Sequence, residues 1–142
     1  MVAAAIRKSE EIGVLETVCV VDEGGYPLAM ERMDRARVTG PQIAWNKAFT
    51  AAGHKRSTHL FNQPPNGPAL PGNEAFGIQW SFDGKFAVFV GGFPIVVDDE
   101  VVGGVDGGSP DVLDRPSGLE RRPTAVKYEV HAVGERDCGW PG

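Results

Sequence analysis

The sequence predicts an α+β fold in which a central, mainly antiparallel β-sheet is flanked by helices. β-branched apolar segments punctuated by glycines recur along the chain, whereas one long segment, residues 41–52, has a clear helical period. Most apolar segments are joined by turns of hairpin length, and parallel neighbours would need longer crossovers. The strands are therefore expected to pair mainly as hairpins.

The N-terminal third predicts a short helix followed by a β-hairpin. Residues 1–12 form a weakly amphipathic segment that Gly13 would end. Residues 14–21 are a β-branched run, residues 22–25 supply glycines for a tight turn, and residues 26–33 return as the second strand. Pro27 lacks an N–H, so we expect the second strand to be entered irregularly or to pair on only one side near its start.

The best helix in the sequence covers residues 41–52. Pro41 suits its first turn and Gly53 its C-terminal stop. Apolar residues recur at i, i+3, i+4 and i+7, namely Trp45, Ala48, Phe49 and Ala52. Residues 62–73 are too rich in proline and glycine for a helix or strand and are predicted to form a loop.

The second half of the chain predicts three strands, an exposed connection and a last strand. The three strands are expected at residues 84–90, 94–97 and 101–105, with a turn at 98–100 between the last two. Polar residues, glycines and prolines through position 123 indicate the connection. Alternating apolar and polar residues at 124–133 predict a half-buried strand.

Length and composition limit the class of protein. The 142 residues fit one domain, predicted to span residues 1–142 with a divergent segment at 111–142. With 42% apolar and 23% charged residues, the chain is expected to fold. Its net charge of −5 argues against nucleic acid or anionic lipid as partners. Neither a signal-peptide core nor a membrane-length apolar run is present, which predicts a cytoplasmic protein.

The two cysteines give no sign of metal or redox chemistry. Cys19 and Cys138 are far apart and form no CxxC pair, which argues against a zinc knuckle or a thioredoxin-type motif. Cys19 lies inside an apolar strand and is predicted to be a small buried hydrophobe.

Five short motifs carry a resemblance to a known family. In chain order they are CVVDEGGY at 19–26, WNKAFTAA at 45–52, FGIQ at 76–79, VGGFPI at 90–95 and EVVGGVDGG at 100–108. They resemble the VVDxGG hairpin, the KAxTAA helix and the YGIQ, GGxPI and VVGxVGVSGG stretches of GlcG/HbpS-like proteins, which include PduO C-terminal domains. The order of the five motifs makes the resemblance fairly specific.

The resemblance implies a profilin-like layered architecture, assembly into homo-oligomers and, in some members, binding of haem or association with catabolic or cobalamin-related enzymes. Two departures from the family pattern stand out. Asp106 replaces an expected serine, and residues 111–142 lack the family's amphipathic helix. The strand at 124–133 or another subunit would then have to cover the exposed sheet face.

Three charged residues are candidates for catalysis. Lys47 lies in the middle of an apolar helix, so its ammonium must reach solvent, pair with an acid or face an acidic ligand. It is also the first candidate for ligand binding. Asp106, between glycines, is a general base, a ligand contact or a turn residue. Asp22 beside Glu23 forms an acid/base pair or, as is commoner at strand ends, bonds its own backbone in the turn.

Other residues are candidates for ligand or metal binding. His54 and His59, five residues apart, are metal or haem ligands or solvated loop histidines. Arg56 could pair with a carboxylate of haem. Further candidates are the backbone N–H groups of Gly91 and Gly92, which could meet an anion, and Trp45 and Phe76, which line a pocket or belong to the core.

Two functions follow from these candidates. The first is an oligomeric small-molecule-binding domain that holds haem, or a related flat anionic cofactor, between apolar walls with Lys47 or Arg56 near its carboxylates. Here the resemblance supplies the cofactor and the residues supply only compatibility. The alternative is a small cofactor-independent enzyme that uses Asp106, Asp22, Lys47 and a histidine in acid/base chemistry on an organic metabolite.

Overall fold

The computed structural model describes residues 1–107 and the backbone of residues 126–127. Its helices are α1 (Val2–Ile12), α2 (Gly40–Gly53) and the four-residue α3 (Ser81–Gly84). Its strands are β1 (Thr17–Asp22), β2 (Pro27–Arg32), β3 (Gly92–Val97), β4 (Glu100–Asp106) and β5 (Val126–Lys127). Single turns of 3₁₀ helix cover Thr58–Phe61 and Ile78–Trp80.

The five strands form one sheet in the order β2-β1-β4-β3-β5. The β1–β2, β1–β4 and β3–β4 pairs are antiparallel, and β5 adds in parallel to β3. The predicted α+β class with a mainly antiparallel sheet is confirmed. The register of β1 against β2 shifts where Val21 meets Pro27, which is the irregularity expected from the missing proline N–H.

The two faces of the sheet are covered by different helices. Strand alternation sends Val18 and Val105 to the side of α1, where they pack with Phe93 and Ile95. On the other face, Cys19 and Val21 pack against a row of small residues on α2, namely Ala44, Ala48 and Ala52. Helix α1 ends at Gly13 in a left-handed conformation, as predicted.

Two glycines let α2 lie directly on the sheet. A Cβ at Gly92 would be 2.5 Å from the Lys47 carbonyl oxygen, and one at Gly104 would collide with the Ala48 carbonyl oxygen. The helix backbone therefore occupies the space that a side chain would need. Because of this close approach, a residue on α2 can reach the ends of β3 and β4.

The prediction of a strand at residues 84–90 is wrong. This apolar run packs as irregular chain, with Phe86 and Ala87 buried. Its backbone is partly satisfied by side chains: the Ala87 N–H donates to Thr50 Oγ1, and Thr58 Oγ1 donates to the Phe89 carbonyl. Threonine side chains therefore supply hydrogen bonds that the backbone of this run would otherwise need from a neighbouring strand.

The last predicted strand is described only in part. Val126–Lys127 pairs along the edge of the sheet beside β3, so this piece extends the sheet and does not cover its face. Cover of a face by this strand was one of two alternatives, and these two residues do not show it; cover by another subunit stays a prediction. The rest of 124–133, His131, Cys138 and most of 111–142 lie outside the described residues. No helix in the described part of the chain has the length and apolarity needed to cross a bilayer.

Candidate functional site

A buried ion pair joins α2 to the end of β4. Lys47 Nζ lies 3.5 Å from Asp106 Oδ1, and the two side chains are only 6% and 3% exposed. Across the strands, Asp106 stands between Cys19 on β1 and Gly92 on β3. Two residues chosen separately from the sequence are thus brought together, and the Lys47 ammonium pairs with an acid and does not reach solvent. Their catalytic roles stay predictions.

An aromatic ring contacts the lysine of the ion pair. Lys47 Nζ lies 4.6 Å from the ring centroid of Phe89, a distance at which the ring face attracts a cation. Phe89 is itself 48% exposed, whereas the Lys47 side chain that its ring contacts is buried. Thr58 holds the backbone beside it by donating to the Phe89 carbonyl at 2.6 Å and accepting the Gly92 N–H at 3.0 Å.

Cys19 is a buried thiol next to this pair, as the sequence predicted. Burial, and secondarily the Asp106 carboxylate, raise the pKa of the Cys19 thiol from 9.0 to about 11. The thiol is therefore protonated at neutral pH. It contributes packing and no thiolate chemistry.

A second cluster gathers His54 and Arg56 around one phenylalanine. The His54 ring meets Phe61 edge-on at 5.5 Å and Phe86 at 4.7 Å, and the Arg56 guanidinium lies 4.7 Å from the Phe61 centroid. Partial burial, followed by the nearby Arg56 charge, lowers the pKa of His54 below its ordinary value. His54 and Arg56 thus place a neutral imidazole and a cation against the same phenylalanine ring.

His59 lies apart from the Phe61 ring. Its imidazole is half-buried and tilted against Phe93, with 6.3 Å between ring centroids. Within residues 1–107 and 126–127, no group of three or more His, Cys, Asp or Glu side chains is arranged to hold a metal ion. Ligation by His54 or His59 stays a prediction, because haem needs only one or two protein ligands.

Asp22 bonds its own backbone in the turn, which is the commoner of its two predicted roles. Its Oδ1 accepts the Tyr26 N–H at 2.9 Å, and its carbonyl accepts the Gly25 N–H at 3.0 Å. Along the β1–β4 ladder it faces Gly103, three positions from Asp106. The structure therefore does not bring Asp22 to the Lys47–Asp106 pair.

The remaining candidates have structural contacts. Gly91 adopts φ 130°, a backbone conformation that glycine permits, and the Gly92 N–H is taken by Thr58 and not offered to an anion. The Trp45 indole N–H donates to the Gly25 carbonyl at 2.9 Å, which fastens the hairpin to α2. Phe76 is 53% exposed and packs edge-on against Trp80, so its ring belongs to the surface.

One buried polar contact is not predicted from the sequence. Ser9 on α1 donates from its hydroxyl to Ala5 O and contacts Glu16, and both residues are buried. The signal was available, because Val2, Ala5, Ile6 and Ser9 recur at i, i+3, i+4 and i+7. A polar residue on that buried stripe indicates a polar partner opposite it.

Residues 1–111 match the family described as haem degrading protein HbpS-like. This chain belongs to the HbpS-like family. Among its relatives, an uncharacterised 15.0 kDa protein from the dhaT-dhaS intergenic region of Citrobacter freundii is 37% identical over 77% of the chain and 75% of that relative. GlcG of Escherichia coli K12 is 30% identical, over 74% of the chain and 72% of GlcG.

The chain also matches part of a larger enzyme. It is 30% identical to the corrinoid adenosyltransferase PduO of Salmonella typhimurium over 75% of its own length, but spans only 31% of PduO.

Solved structures agree with this family assignment. ORFY of Klebsiella pneumoniae has a TM-score of 0.70 and 34% identity, with coverage of 78% of this chain and 74% of ORFY. A complex of PduOC with haem has a TM-score of 0.69 and 29% identity, and each chain is 78% covered. HbpS is more distant, with a TM-score of 0.56 and 26% identity over 74% of this chain and 68% of HbpS.

Proposed function

We propose that this HbpS-like domain binds haem, with His54 as the iron ligand and Arg56 as the partner of a haem carboxylate. The observation that carries the proposal is that His54 and Arg56 contact the same ring, Phe61. The family description and the haem complex of the similar PduOC domain support haem as the ligand. The lysine that was the first candidate for a carboxylate, Lys47, already pairs with Asp106.

The chemistry of the His54 and Arg56 cluster fits haem. An imidazole must be neutral to bind iron, and the lowered pKa of His54 keeps it neutral at physiological pH. Haem would supply the iron centre and a flat apolar ring system. The chain supplies a nitrogen donor, the apolar rings of Phe61 and Phe86, and a guanidinium that packs on Phe61 and is therefore partly pre-oriented.

Titration with haemin, followed by the Soret band, tests the proposal. We expect saturable binding to the wild-type chain and a shifted or lost Soret band in His54→Ala. His59→Ala is the matched control, because its ring lies against Phe93 and away from Phe61. Arg56→Leu should weaken binding while leaving the Soret position unchanged, because it removes a carboxylate contact and no iron ligand.

The outcomes separate the parts of the proposal. Absence of a saturable Soret change in the wild-type chain would overturn haem binding altogether. Binding that is lost in His59→Ala and retained in His54→Ala would preserve haem as the ligand and overturn the assignment of His54. Circular dichroism of each variant establishes that the fold is intact.

A further inference from the structure

We propose that the outer strand β2 pairs edge to edge with β2 of a second copy of this chain, antiparallel and about a two-fold axis at Met30. The proposal goes beyond the proposed haem function, because no residue of β2 belongs to the His54 and Arg56 cluster. The homo-oligomer implied by the family resemblance has no assigned contact surface, and β2 supplies one. The two sheets would join into one continuous sheet across the dimer.

The first argument concerns the backbone of β2. It is the outer strand of the sheet, and all six of its residues are exposed. The Met33 N–H donates to the Glu16 carbonyl, next to the start of β1. Backbone groups along an antiparallel strand alternate in direction, so those of Glu31 also point to β1. Those of Met30, and the N–H of Arg32, point away from β1. In the part of the chain that the structure describes, no strand lies on that outer side.

The second argument concerns the register in which two such edges can pair. An axis at Met30 sets Met30 opposite its own copy and Leu28 opposite Arg32 of the second copy. Met30 then exchanges its N–H and carbonyl with its copy. The Arg32 N–H meets the Leu28 carbonyl, which points outward because the Ala29 N–H of the same peptide group points to β1. The outward groups of the two strands are therefore complementary.

The third argument concerns the side chains that would lie opposite one another. With the axis at Met30, Glu31 faces Ala29 of the second copy. The stem of Arg32 faces Leu28, which is 69% exposed in the single chain and would gain an apolar contact. An axis one residue later would set Glu31 opposite its own copy, and like charges directly opposite destabilise a sheet. Charge therefore favours the axis at Met30 over the axis at Glu31.

An axis one residue earlier, at Ala29, is excluded by the backbone. It would set the Arg32 N–H opposite Tyr26, whose carbonyl points to β1 and accepts the Asp22 N–H at 2.9 Å. That N–H would then lose its acceptor. Pro27 has no N–H to extend the ladder, so the pairing ends beside it. A contact of this two-fold kind closes on itself and gives a dimer, not an open fibre.

Disulfide trapping tests the interface. Met30→Cys is made in a chain that also carries Cys19→Ala and Cys138→Ser, because Cys19 faces Met30 between β1 and β2 and would compete for the new thiol. Opposite Cα atoms in a hydrogen-bonded antiparallel pair are about 5.5 Å apart, which a disulfide can span. Under mild oxidation, Met30→Cys should form a covalent dimer at least about tenfold faster than Val38→Cys in the same background, because facing thiols have a high effective concentration. Val38 is 85% exposed but lies outside the strands.

Mixed chains test the register. Leu28→Cys and Arg32→Cys, in the same background, should each form little covalent dimer alone and should cross-link with each other when mixed. Cross-linking of Leu28→Cys with itself at the rate of Met30→Cys would overturn the register. Cross-linking of Met30→Cys no faster than Val38→Cys, or a monomeric mass of the wild-type chain by light scattering, would overturn the interface. Circular dichroism establishes that each variant is folded.

Discussion

Lys47 on α2 and Asp106 at the end of β4 form an ion pair that is almost completely buried, with 3.5 Å between Nζ and Oδ1. Removal of either partner takes away the opposite charge beside a buried charge. We therefore predict that Asp106→Asn or Lys47→Met lowers the free energy of unfolding by about 3–5 kcal/mol. Urea denaturation of each variant measures the change.

The exposed pair of Lys8 and Glu11 is a matched control for this prediction. Its atoms are at almost the same distance, 3.4 Å, but its side chains are exposed to water. Lys8→Met should cost no more than about 1 kcal/mol. The double variant Lys47→Met/Asp106→Asn should be less destabilised than the sum of the two single changes, and strict additivity would contradict a direct interaction.

Gly104 tests the close contact between α2 and the sheet. An added Cβ would collide with the Ala48 carbonyl oxygen, which is helix backbone and cannot rotate away. Gly104→Ala should therefore cost about 3 kcal/mol or more, at the upper end of overpacking effects. Gly53→Ala is the control. Its Cβ would meet nothing within 4 Å, so thermal denaturation should show an unchanged or slightly higher melting temperature.

The first hairpin and α2 could be predicted because their patterns are local. Residues 17–21 are a β-branched run before a glycine turn, and Pro41 and Gly53 mark the ends of a periodic segment. The error at 84–90 has a non-local cause. An apolar run has the same composition in a strand and in buried irregular chain, and Thr50 and Thr58 decide the outcome by taking up its backbone hydrogen bonds.

The candidate site could also be predicted only in part. Lys47 and Asp106 could each be selected, since a lysine on an apolar helix and an aspartate among glycines both depart from the surrounding pattern. Their contact could not be predicted, because it depends on which residue of β4 lies beneath α2. The contact of Phe89 with Lys47 could not be predicted either, because the run that contains Phe89 reads as a strand and folds as irregular chain.

The outer strand β2 tests the expected homo-oligomer. All six of its residues are exposed at one edge of the sheet, and Leu28 is 69% exposed. Exposed apolar strand edges favour pairing with another chain. We predict a multimer by size-exclusion chromatography with light scattering, and a lower mass for Leu28→Lys. Val38→Lys, at an 85% exposed position outside the strands, should keep the wild-type mass, and a monomeric wild-type chain would contradict the prediction.

Cys19 makes stability depend on pH in the alkaline range. Its pKa is about 11 in the folded chain and 9.0 when unperturbed, so the unfolded chain loses the thiol proton first as pH rises. The contribution of this raised pKa to stability is complete below pH 9 and is lost between about pH 9 and 11. A shift of this size corresponds to roughly 2–3 kcal/mol.

The difference between wild type and Cys19→Ala isolates this contribution, because lysines and tyrosines titrate in both chains. Urea denaturation at pH 8, 9, 10 and 11 should show the free energy of unfolding of the wild type falling more steeply than that of Cys19→Ala. The two curves would stay parallel if burial and the Asp106 carboxylate did not raise the pKa of the thiol in the folded chain. A steeper fall in Cys19→Ala would reverse the sign and show that burial does not hold the thiol in its protonated form.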